Sequence, residues 1–196
     1  KINYLKTGKA ISIKKKDLKD LNHKYTPIKL NGVFAFDDKD NFENLSGIVK
    51  NGSLHWKAKG NDQYLYFIFE DKTEQRVKRA APGGDGWVLD HFSKKGTENY
   101  LSTFSKKLDG LNGKIRAIFN DSYEVYGADY TSDFFNTFAK NRGYDLKPYL
   151  NRLFEDDNEI SNRIRGDYRA TLSDLLTQEF TNSWNQWSKC LRVKTK

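Results

Sequence analysis

The window that most restricts the fold is Gln63–Glu70, QYLYFIFE. Aromatic and branched apolar side chains occupy both parities along it, so neither face of a strand built from it suits water. The window predicts a central strand covered on both faces. Turn chemistry surrounds it: Asp37–Asn41 is rich in Asp and Asn, Asn51-Gly52 is a strong hairpin dipeptide, and Gly60-Asn61-Asp62 is a further turn. Between these turns lie Gly32–Phe36, Leu45–Val49 and Ser53–Ala58, the last with Leu54 and Trp56 alternating with polar neighbours. Gln75–Arg79 reads as a segment that extends or pairs with the central strand. Upstream, Ala10–Ile13 is a candidate short strand and Lys14–Leu21 a short helix or polar connection. The spacing of turns predicts a compact antiparallel β-rich unit over residues 1–79.

At residue 80 the pattern changes. Ala80–Gly86, AAPGGDG, lacks both the Lys-Ser/Thr pair of a P-loop and the glycine spacing of a dinucleotide loop. It reads as a tight loop, or one that approaches a ligand by its backbone. Trp87–Asp90 reads as a short strand that runs into Asp90-His91-Phe92-Ser93. Ser93 or Thr97 then caps a helix reaching about Leu108, with Tyr100, Leu101, Phe104 and Leu108 on one face. Lys114–Asn120 is the next strand, so residues 86–120 have the length a parallel crossover needs. Thr131 or Ser132 caps a helix carrying Phe134, Phe135 and Phe138 as a core stripe, and Gly143 ends it. Pro148 lies near the start of a short helix, Lys147–Phe154. Glu155–Glu159 is an acidic turn that suits a helix start better than a metal loop. Ile164, Tyr168, Leu172, Leu175, Leu176, Phe180, Trp184 and Trp187 then form one apolar helical stripe, and Leu191-Arg192-Val193 begins a further strand. The expected fold class is α/β: residues 80–196 as βα units of a partial (β/α)8 TIM barrel, preceded by the antiparallel unit. The chain is too short to close such a barrel alone.

The chemistry concentrates in Ile115–Gly127, IRAIFNDSYEVYG. A short apolar strand ends abruptly in Asn120, Asp121, Ser122, Tyr123 and Glu124, followed by Val125-Tyr126-Gly127. Polar clusters at the carboxyl ends of strands are where α/β enzymes place their sites. The run suits a polyhydroxylated ligand; an exposed loop of ordinary turn residues is the competing reading.

Composition removes some classes. The net charge is +8, but the basic residues are spread, with Lys14-Lys15-Lys16 and the tail Arg192–Lys196 densest, and no nucleic-acid motif interleaves them with aromatics. A solvated lysine-rich surface fits better, with no nucleic-acid partner expected. No apolar run approaches the roughly 18 residues of a membrane span, and no membrane partner is expected. The single cysteine, Cys190, has no internal disulfide partner and is expected buried or half-buried near a helix end; it leaves the compartment open. The chain begins with Lys and contains no Met, so it reads as an excerpt or processed chain.

Three stretches carry a family resemblance: Val77–Gly86, Val88–Ser93 and Phe119–Gly127. Asp133-Phe134-Phe135, Arg142–Leu146 with Pro148-Tyr149-Leu150, and Asp167-Tyr168-Arg169 with Leu172–Leu175 fit the same pattern. Together they resemble the calcium-dependent, inverting α-L-rhamnosidase-related glycoside hydrolases, closely over residues 77–190 and loosely over 31–76. The resemblance implies a (β/α)8 catalytic domain, a rhamnose-containing glycan as substrate, and a secreted or periplasmic bacterial parent protein. It implies Glu124 as the general acid, and Asp121 beside it would raise its pKa. Asp90, His91, Asn120 and Asp121 would face the sugar, and Trp87 or Tyr126 would stack on it. The second carboxylate of an inverting pair, at about 6.5–9.5 Å, would come from a later strand beyond Lys196. Calcium is implied as a cofactor with ligands unassigned. On this reading the isolated chain is inactive and its exposed strand edges favour self-association. A non-catalytic carbohydrate-binding fragment is the alternative.

Overall fold

The computed structural model describes residues 2–7, 11–13, 29–50, 53–58, 63–70, 72–111, 113–120, 123, 125–154 and 157–196. The expected helix at Lys14–Leu21, the turns at Asn51-Gly52 and Gly60–Asp62, and Asp121, Ser122 and Glu124 lie outside them. Two compact units divide the chain: residues 1–72 with 134–168, and residues 73–133 with 169–196.

The first unit is built on a four-stranded antiparallel sheet of order β1-β6-β3-β4, where β1 is Ile2–Thr7, β3 Lys29–Asp37, β4 Phe42–Asn44 and β6 Gln63–Glu70. Two short strands, β2 (Ile11–Ile13) and β5 (Leu54–Trp56), pair separately. The QYLYFIFE window is thus an interior strand. One face of the sheet packs Val33, Ala35, Leu65, Phe67 and Phe69 with Leu45 and Leu54 into a closed cluster. The opposite parity is aromatic. Phe36 meets Tyr66 edge-on at 5.2 Å, Phe34 meets Phe135, and Tyr66 stacks on Phe154 at 5.6 Å. Burial on both faces follows directly from the absence of alternation.

A register shift between Leu30 and Gly32 bends β3. A Cβ on Gly32 would lie 2.6 Å from the buried Phe34 ring, so this position has room only for glycine. Asp37 organises the β3–β4 turn by accepting from the Asn41 and Lys39 amides and the Asn41 side chain, which holds its carboxyl below the usual carboxylate range.

The same unit contains α2 (Phe134–Arg142), whose Phe134 and Phe138 are fully buried. Gly143, at φ +81°, closes it and its N–H bonds the Ala139 carbonyl, as a C′ glycine does. The segment read as a helix over Lys147–Phe154 is a 3₁₀ helix, Lys147–Leu153, with Pro148 in its first turn. Asn158 caps α3 (Glu159–Leu175) by accepting from the Ser161 amide at 2.9 Å, so the acidic turn does open a helix. The Tyr144 hydroxyl donates 2.8 Å to Asp167, joining two of the stretches that carry the resemblance.

The second unit begins with a two-stranded ribbon. The Val77 amide bonds the Gly86 carbonyl and the Val88 amide bonds the Gln75 carbonyl. Gln75–Arg79 therefore pairs with Trp87 and Val88 rather than with β6, and Trp87–Asp90 is not a strand but a single antiparallel bridge, Arg76 to Trp87. Two prolyl-glycyl positions set the tip: Pro82 and Gly83 (φ +79°) occupy the centre of a turn closed by Gly84 N–H to the Ala81 carbonyl, 2.8 Å. Ser93, and not Thr97, caps α1 (Lys94–Ser105) by accepting from the Gly96 amide at 3.1 Å.

The strand expected over Lys114–Asn120 narrows to β7, Ala117–Ile118. It pairs in parallel with β8, Lys194–Thr195, slightly beyond the expected Leu191–Val193. Before β8, the apolar stripe of α3 runs through a π-helical segment, Leu176–Asn182, into α4, Ser183–Cys190. Cys190 closes α4 as expected but is exposed. The buried line of this helix runs Phe180, Trp184, Ser188 at intervals of four, and Cys190 falls more than half a turn past Ser188. The architecture is a mixed α/β one: a small antiparallel sheet, followed by helices and a parallel strand pair.

Candidate functional site

The loops that the sequence singled out meet in the second unit. Asp90 ends the ribbon. Its Oδ1 accepts from the Phe92 amide at 2.9 Å, its carbonyl accepts from the Ser93 amide, and its Oδ2 accepts from the Thr131 hydroxyl at 2.9 Å. One residue thus shapes its own loop with its carboxylate, holds the capping Ser93 with its carbonyl, and ties in the buried Thr131. His91 follows, half-buried. Its ring lies edge-on to Phe180 at 4.6 Å and 6.1 Å from Tyr123, and Tyr123 meets Phe180 at 5.6 Å. Burial lowers the His91 pKa below the ordinary imidazole value, against the opposing pull of Asp90 and the Leu89 backbone. A neutral imidazole at neutral pH follows.

Phe180 was legible only as part of the apolar stripe. The π-helical turn carries it, and such widened turns recur at functional sites. The faint signal for it was the run of four-residue steps from Leu172 through Leu176 and Phe180 to Trp184, longer than an α-helix prefers.

Asn120, just past β7, is half-buried, and its amide donates 3.2 Å to the Lys196 carbonyl. Tyr126 stands on a turn closed by the Ala128 amide on the Val125 carbonyl, with Gly127 at φ +73°. The Gln75 side chain accepts from the Tyr126 amide at 2.8 Å, fixing this turn to the ribbon. Trp87 and Tyr126 are both exposed, at 51% and 66%. Each has a cation over its ring: the Arg76 guanidinium 5.1 Å from Trp87 and the Lys78 ammonium 5.8 Å from Tyr126. Asp121 and Glu124 lie outside the described residues.

Among the described residues no three His, Cys, Asp or Glu side chains gather into a metal-binding group. No described helix is long and apolar enough to cross a membrane. A separate polar cleft of about 480 Å³ lies against α1 and α4, lined among others by Glu98, Glu179 and Trp187, and contains none of the candidate sugar-facing residues.

These loops carry exposed aromatic rings together with amide, carboxylate and imidazole side chains, the group types that take apolar faces and hydroxyls in ligand sites. Comparison with known proteins carries this further. The family model for α-L-rhamnosidase, glycoside hydrolase family 106, matches residues 18–195, and the chain belongs to that family. A Formosa agariphila protein named "Putative beta-glucuronidase" is 29% identical over 168 residues, covering 81% of this chain and 14% of its own length. The solved rhamnosidase of Novosphingobium sp. PP1Y superposes with a TM-score of 0.69 at 26% identity, over 84% of this chain and 17% of that one. The chain therefore spans about a sixth or less of the relatives it matches.

Proposed function

We propose that this chain is a segment of the catalytic domain of an α-L-rhamnosidase, one that hydrolyses α-L-rhamnosyl linkages in polysaccharides or glycosides with inversion. The observation that carries the reading is the meeting of the two strand-end loops, through His91 against Tyr123 and Thr131 on Asp90, inside the stretch matched to the family. Glu124 is the proposed general acid. It follows Tyr123 directly in the chain. Protonation of the glycosidic oxygen by such a group contributes about 10²–10⁴-fold. Asp121 is the neighbouring negative charge that keeps the acid protonated. Asp90 and Asn120 are proposed to face the sugar. Neutral His91 offers a hydrogen bond to a hydroxyl without adding charge near the acid. Calcium belongs to the proposal as the group that would bind sugar hydroxyls, and its ligands stay unassigned.

The parallel β7–β8 pair supports a barrel segment. Among the described residues it has no third strand, and parallel strands stand almost only in sheets covered on both faces. The proposal takes the second carboxylate and further barrel strands from other parts of the full-length protein, so the segment by itself is expected to be inactive.

The test is a panel of aryl glycosides offered to the full-length protein that carries this segment. Turnover of the α-L-rhamnoside is expected. Turnover of a β-D-glucuronide with none of the rhamnoside would overturn the substrate assignment, and turnover of neither would favour a non-catalytic carbohydrate-binding fragment.

A further inference from the structure

The ribbon that leads to Asp90 carries more than a sugar-stacking ring. Arg76 is bridged to Trp87, and Lys78 stands two residues further on, in the turn that follows. Each lies over an exposed aromatic ring, Arg76 over Trp87 and Lys78 over Tyr126. The Gln75 side chain, bonded to the Tyr126 amide, and the Arg76–Trp87 bridge fasten both ring-bearing stretches to this segment. Asp85 accepts from one guanidinium nitrogen of Arg76 at 2.6 Å. That contact occupies one of the five N–H donors. Lys78 is exposed and has no carboxylate partner among the ion pairs of the described residues. From Gln75 to Val88 the charges are Arg76, Lys78 and Arg79 against Asp85 alone, a net of +2.

A neutral sugar needs the rings but not the cations. Two cations held over two exposed rings suit a sugar unit that bears a negative charge, whose C–H face packs on ring surface the cations leave uncovered while its anion meets the ammonium and the guanidinium. We propose that Arg76, Lys78, Trp87 and Tyr126 form a subsite for an anionic sugar unit, a uronate or a sulfate ester, next to the rhamnosyl position. This rests on the glycosidase reading of the same loops and goes beyond it in naming a charged neighbour in the substrate.

The experiment measures binding to the full chain by tryptophan fluorescence and calorimetry at low and high salt. The probes are a rhamnosyl-uronic acid disaccharide, its neutral methyl ester, L-rhamnose and an L-rhamnose sulfate. The acid is expected to bind about tenfold more tightly than its ester at low salt, with the gap closing as salt rises. The sulfate against free rhamnose tells which anion the strip prefers. The Arg76→Gln/Lys78→Gln double variant should abolish the preference for acid while binding the ester unchanged. Lys106→Gln/Lys107→Gln removes the same charge beyond the end of α1 and should keep the preference. Equal binding of acid and ester, survival of the preference in Arg76→Gln/Lys78→Gln, or equal loss in both double variants would overturn the subsite. Ester binding without an acid preference removes the subsite and keeps the glycosidase reading. An acid preference in a full-length protein that hydrolyses no rhamnoside does the reverse.

Discussion

The buried Thr131 hydroxyl donates a 2.9 Å hydrogen bond to the Asp90 carboxylate, 41 residues away. The pair fastens the loop after the ribbon to the segment that leads into α2. Removing the hydroxyl deletes this tie between the two segments. Thr131→Val is expected to destabilise the protein by about 1 kcal/mol, read from urea unfolding, and to loosen the His91 ring. An unchanged unfolding midpoint and an unchanged His91 spectrum would show that the bond holds nothing in place.

His91 gives a pH prediction. Burial against Phe180 lowers its folded pKa below the unfolded value near 6.5. The unfolded state then binds the proton more readily. The contribution of neutral His91 to stability is therefore present above about 6.5 and is lost as pH falls through the lower folded pKa. NMR titration of the His91 ring should give a midpoint below that of an exposed imidazole, and Phe180→Ala should raise it. A midpoint at or above 6.5 in the native chain would contradict the packing of the ring.

Gly32 faces the Phe34 ring at a distance no Cβ tolerates. Phe34 is only 1% exposed and cannot swing away. Gly32→Ala is expected to cost about 1–3 kcal/mol in thermal or urea unfolding. A neutral effect would mean that the β3 irregularity relaxes freely.

The Tyr144 hydroxyl donates to Asp167 at 2.8 Å, and burial, with Asp167 second, pushes its pKa well above the ordinary phenol. Tyr144→Phe deletes the donor and leaves the ring against Phe138 in place. The loss is expected to be about 1.5–3 kcal/mol, as for a bond to a charged partner. Ultraviolet titration of the native protein should leave this tyrosine un-ionised where exposed tyrosines ionise, and ionisation along with them would count against this half-buried bond.

How much of this was legible follows from where the physics is local. QYLYFIFE gave an interior strand because a lack of alternation admits no exposed face, and Ser93 and Gly143 gave helix ends because caps and left-handed glycines are local chemistry. Gln75–Arg79 and Trp87–Asp90 were misread because pairing is a tertiary choice: an extended segment carries no label for its partner, and the Pro82-Gly83 turn folds these two onto each other. Cys190 was placed on the wrong side because a π-helical turn upstream shifts the buried line of α4. In the site, the polar strand ends announced themselves as clusters. The cations over Trp87 and Tyr126 did not, since nothing in the order of residues fixes which ring a lysine or arginine will cover.

The central proposal is that Glu124 protonates the leaving-group oxygen of a rhamnoside. The most direct measurement compares wild type and Glu124→Gln in the full-length protein, on an alkyl α-L-rhamnoside whose leaving group must be protonated. The account predicts a fall in kcat of about 10²–10⁴-fold with rhamnose binding retained. Hydrolysis at the wild-type rate by Glu124→Gln would contradict it.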